Sequence, residues 1–173
     1  MLLSKKQNRE FGMAEITKKN GFALPIFVAF IFTVACNYII ALTGIGIGVS
    51  IPNQVVPTGW GWVDKIVGFV WIALLCGLAV AWVLVRNSKS TQVDYVANMI
   101  IWLGALCLVY PFSFGLSQIS GLFGNIIIGY FAAWVSWISY PLSRFGAFLI
   151  IPIIFWLVIA TVYLALLILA NIK

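Results

Sequence analysis

From Phe145 to Ile172 the chain carries no charged side chain. A helix needs about 20 apolar residues to cross the hydrocarbon core of a bilayer, and this run is long enough. Four similar runs precede it, at about 21–43, 66–85, 93–112 and 121–139, with Asp94 their only charge and at an edge. Only 8% of the 173 residues are charged and 64% are apolar, against about 25% charged in a soluble domain. So few polar side chains could not cover a soluble core. The predicted fold class is an all-α membrane protein: a five-transmembrane-helix bundle over residues 21–173, behind a basic arm at residues 1–20.

The charges between the runs test that count. With the N-terminus inside, the inner segments hold Lys5, Lys6, Arg9, Lys18, Lys19, Arg86, Lys89 and Arg144, and the outer ones only Lys65 and Lys173. Basic residues concentrate on the cytoplasmic side of membrane proteins, and one span more or fewer would spoil the alternation. The pattern predicts a cytoplasmic N-terminus and favours a bacterial inner membrane. It also gives the net charge of +6 a membrane-flanking role rather than a nucleic-acid one, because the basic residues share no face or domain. The first run is longer than the apolar core of a signal peptide, about 7–15 residues, so it is read as a retained helix.

The connections differ in kind. Gly44 to Lys65 is long and rich in Gly, with Pro52 and Pro57, which is the chemistry of irregular backbone. Its length suits a lid, and Trp60 and Trp62 fit that lid or a plain interfacial belt. Gly44 and Gly48 could also make a small-xxx-small helix contact. The later connections are short. Pro152 lies inside the last run and should kink the helix or mark its first turns.

Several chemistries are disfavoured by what the spans lack. No carboxylate, lysine or arginine sits near the middle of a run, which argues against ion-coupled transport. The chain has no histidine, so the usual general base and metal ligand are missing and no serine has an activating partner. Cys36, Cys76 and Cys107 all fall within apolar runs, where a thiol is ordinarily a small packing residue. No metal or resident cofactor is expected. What remains is aromatic and weakly polar: eight Trp, six Tyr and thirteen Phe, with Asn37, Asn98, Gln118, Asn125 and Thr161 in the spans. Trp82 and Trp102, near span ends, read as belt anchors. Trp71, Trp134, Trp137 and Trp156 either pack helices or line a pocket for a flat apolar ligand.

Several stretches resemble the TspO/translocator protein family, the tryptophan-rich sensory proteins. Val67 to Leu74 with Gly77, around Val70-Trp71, resembles its second helix, with Leu75 where tyrosine is usual. Phe112-Ser113-Phe114-Gly115 with Gln118 resembles the end of its third helix and the turn beyond. Asn125 falls where an acidic residue is frequent, and Pro152 to Trp156 keeps the proline-to-tryptophan spacing of its fifth helix. The family's Leu-Asn-Trp-x-Trp would fall on Leu106 to Val109, where its asparagine and tryptophans are missing. The spacings from Trp62 to Trp71 and from Pro141 to Pro152 are longer than usual.

The resemblance implies a pocket between the helices and under the first loop for a porphyrin or other tetrapyrrole, or for a sterol or lipid. It also implies a homodimer and, in some members, light-dependent porphyrin breakdown. Carried over, the ligand-binding residues are Trp71 and Trp156 as stacking walls, Pro152 as a wall-shaping residue, Trp60 and Trp62 in the lid, and Asn125 and Phe114. The expected function is a membrane receptor or carrier for a hydrophobic small molecule such as protoporphyrin. The alternative is a structural or assembly subunit of a larger membrane complex. An enzyme acting on a lipid is disfavoured by the missing acid–base groups.

Overall fold

The computed structural model describes residues 21–43, 58–114 and 117–171. Five helices follow in order: α1 Ala23–Thr43, α2 Trp62–Arg86, α3 Val93–Phe114, α4 Gln118–Ser139 and α5 Arg144–Asn171. Each is long and apolar enough to cross a membrane, and the protein is an all-α integral membrane bundle. The basic arm at 1–20 and residues 44–57 of the lid expected over Gly44 to Lys65 lie outside the described residues.

Local chemistry sets the helix ends. Pro25 falls in the first turn of α1, where its missing N–H has no intrahelical acceptor anyway. Before α2, Gly59 takes φ +86°, a conformation that side chains with a Cβ rarely adopt. α2 starts at Trp62 rather than near Ile66, because its first turn extends beyond the stretch that apolarity alone marks out. Likewise α3 runs past Pro111 to Phe114. Ser117 caps α4 by accepting from the Ser120 N–H at 3.0 Å, and Ser143 caps α5 by accepting from the Gly146 N–H at 3.0 Å. Such caps satisfy donors that the first helical turn leaves open. α5 continues through Pro152.

α2, α3, α4 and α5 pack as a closed ring, α2 meeting α3 and α5, and α4 bridging α3 and α5. Lipid tails are as apolar as these side chains, so close packing rather than water exclusion holds such helices together. The α2–α5 crossing uses small residues: a Cβ on Gly146 would come within 3.4 Å of the Ala81 carbonyl oxygen, and Ala81 is fully buried. The Ser136 hydroxyl donates to the Ala147 carbonyl at 3.1 Å and ties α4 to α5.

α1 stands apart. It lies along α2, barely touches α3, and buries one side chain, Thr33.

Candidate functional site

The loose fit of α1 leaves a seam between α1 and α3 whose floor is α2. Along one half it opens into a cleft of about 480 Å³, lined by α1 from Leu24 to Thr33, α2 from Leu75 to Trp82 and α3 from Ile100 to Leu108. That lies within the roughly 300–1,000 Å³ of small-molecule sites. The room comes from small side chains on facing helices, Ala79 on α2 with Gly104 and Ala105 on α3. Thr33, Leu75 and Leu108 also line the other half, where Asn37, Trp71, Cys107 and Pro111 close the seam to about 10 Å³. A gap of that size holds about one water and no larger ligand.

The polar groups of the seam are few. The Thr33 hydroxyl donates to the Ala29 carbonyl at 2.6 Å, within its own helix. At the narrow end, the Asn37 amide donates to the Gly68 carbonyl at 3.2 Å and pins α1 to α2. At the wide end, the indole N–H of Trp82 is buried with no acceptor among the described residues. The Arg86 guanidinium lies over that indole, 5.6 Å from the ring centre, in cation–π range. Arg86 also pairs with Asp94 at the start of α3. The cleft therefore has an apolar body and one charged end.

The residues carried over from the family resemblance are spread more widely. Trp71 is buried on α2, lines the narrow part of the seam and packs against Tyr110 of α3 with ring centres 6.1 Å apart. Trp156 is buried on α5 as part of the core of the ring. Trp60 stacks on Trp62 at 6.3 Å and on Tyr163 of α5 at 6.1 Å, so it sits in the turn before α2 while Trp62 is that helix's first residue. Asn125 is buried on α4 and faces Tyr110. Pro152 is exposed on α5. Phe114 ends α3, and its side chain lies outside the described residues. Of the six whose side chains are described, Trp71 alone lines either part of the seam.

Trp82, Arg86 and Thr33 were not singled out as site residues from the sequence. Trp82 reads as a belt anchor because it is close to a span end. The available signal was the pairing of that tryptophan with Arg86 one helical turn on, beside the small Ala79. Among the described residues no group of three or more His, Cys, Asp or Glu side chains could hold a metal ion. No protein-family model, curated protein or solved structure matches the chain.

Proposed function

We propose that the protein is a membrane receptor or carrier that takes a hydrophobic small molecule laterally from the bilayer into the cleft between α1, α2 and α3. The observation that carries this reading is the 480 Å³ cleft, apolar along its length and walled on one side by a helix that scarcely touches α3. A ligand dissolved in lipid could enter by displacing α1 a little, with the α2–α5 ring undisturbed. The family resemblance names protoporphyrin, sterols and lipids as candidate ligands, although the family's pocket lies under the first loop and this cleft runs along the opposite half of α1, from Leu24 to Thr33. The ring of Trp82 offers an aromatic wall, and Trp71 lines the closed far end. The charge pattern of the sequence and the resemblance together support a bacterial inner membrane, a cytoplasmic N-terminus and a homodimer.

The test is saturable quenching of tryptophan fluorescence by protoporphyrin in the detergent-purified chain. Ala105→Phe, which fills the cleft, should abolish saturation, whereas Trp156→Phe should preserve it. Quenching that is absent, or indifferent to Ala105→Phe, would overturn this reading. It would favour the structural-subunit alternative, which has an observation of its own. Phe123, Ile127, Tyr130, Trp134 and Trp137 form an exposed ridge along α4, at the three- and four-residue spacing that a packed helix partner would need.

A further inference from the structure

We propose that the wide cleft is a lipid site one leaflet deep and that its occupant is an anionic lipid, tail along α1 and α3 and headgroup at Trp82 and Arg86. This rests on the reading of the cleft as the ligand site and adds to it the class and direction of the ligand.

Depth is the first argument. The α1 wall runs from Leu24 to Thr33, which at 1.5 Å per residue is about 14 Å. The hydrocarbon core is about 30 Å thick, so the cleft is as deep as one leaflet. It closes toward mid-membrane, where Thr33, Leu75 and Leu108 pass into the narrow half. A chain lying in it would run from the interface to the bilayer centre, as the tail of a lipid does.

The ends of the cleft settle the direction. At the inner end the Thr33 hydroxyl already donates within its helix, and nothing charged lines the wall. At the outer end Arg86 stands over the Trp82 ring, and Lys89 is exposed in the turn that follows. The neighbouring cations select a negative head over a neutral or zwitterionic one. Arg86 keeps donors to spare, because its pairing with Asp94 uses one of its two terminal nitrogens and a guanidinium has five N–H groups. Asp94 is thereby a competitor: its carboxylate occupies the cation that the headgroup would use.

Phosphatidylcholine nanodiscs holding the full chain, with a minor share of the lipid replaced by dibrominated phosphatidylglycerol or dibrominated phosphatidylcholine, separate these claims through tryptophan quenching. Phosphatidylglycerol should be preferred about fivefold, the selectivity that one basic side chain gives at an anionic surface. Arg86→Gln should erase the preference and Asp94→Asn should strengthen it, which a purely structural ion pair would not do. Trp82→Phe should remove most of the excess quenching while Trp137→Phe leaves it, which locates the lipid. Equal quenching by the two lipids, still reduced by Ala105→Phe, would overturn the anionic headgroup and leave the cleft site standing. Quenching by both lipids that ignores Ala105→Phe would overturn the cleft site itself.

Discussion

Helices α1 and α5 have mean hydropathies of 2.2 and 2.8, yet α1 buries only Thr33 while α5 buries Ala147, Ile150, Ile153, Trp156, Leu157, Tyr163, Leu164 and Leu167. Apolarity sends both into the membrane and says nothing of how tightly either packs there. In hydrocarbon an exposed Phe carries no solvation penalty, so α1 can show Phe27, Phe30 and Phe32 to lipid at no cost. The tight contacts of α5 depend on shape, with small residues admitting the neighbouring helix. One helix is part of the frame, and the other is a wall leaning on it.

The largest expected effect follows from that division. Trp156 is 6% exposed and Phe27 is 61% exposed. Trp156→Ala leaves a cavity in the ring and should destabilise by about 3 kcal/mol, the low end for aromatic truncation because lipid rather than water surrounds the opened state. Phe27→Ala should change stability by less than about 0.5 kcal/mol. Unfolding in mixed micelles of rising SDS fraction measures both, and similar losses would break the contrast between frame and wall.

A smaller effect tests two of the junctions that α2 makes, those with α5 and α1. A Cβ on Gly146 would lie 3.1 Å from the Ser143 hydroxyl, the cap of α5, and 3.4 Å from the Ala81 carbonyl oxygen. At the α1 junction, a Cβ on Gly68 would meet nothing nearer than the Asn37 amide nitrogen, at 3.4 Å. Gly146→Val should cost about 1–3 kcal/mol by overpacking. Gly68→Ala should be nearly neutral, since the end of the Asn37 side chain can shift. The same SDS titration reads both, and a larger loss for Gly68→Ala would make α1 the more tightly seated helix.

The frame was legible in the sequence and the wall's fit was not. Five apolar runs and the breaks between them set the helix number, because the need for about 20 apolar residues per span is a physical constraint on length. The start of α2 was less visible: Trp62, Asp64 and Lys65 continue the helix beyond its most apolar part. The cleft could not be read at all. It depends on Ala79, Gly104 and Ala105 facing the same gap from two helices, and on α1 standing off α3. A helix apolar on all sides, as α1 is, gives no periodic signal of its rotation. Trp71 was visible through its neighbours in the chain, whereas Trp82 needed the third dimension to bring Leu24 and Ile101 into one cleft with it.

The smallest effect bears on the hydrogen bond that pins α1. Asn37 donates to the Gly68 carbonyl at 3.2 Å, at the end of the seam where Cys107 is 1% exposed. Interhelical hydrogen bonds in membranes average about 0.6 kcal/mol, because the separated helices also find partners. Asn37→Leu removes the donor and keeps the bulk, so α1 should swing from α2 about threefold more often, by the Boltzmann factor of that energy. In a Cys36→Ser/Cys76→Ser background, Cys107 is the remaining cysteine and becomes the reporter. Its labelling by a small maleimide requires α1 to open the seam, and Asn37→Leu should raise the rate by that same factor, about threefold. An unchanged rate would mean that apolar contact along α2, and not the asparagine, holds the wall. An increase of an order of magnitude would mean the reverse, that this one bond keeps the narrow half closed and the cleft confined to the other.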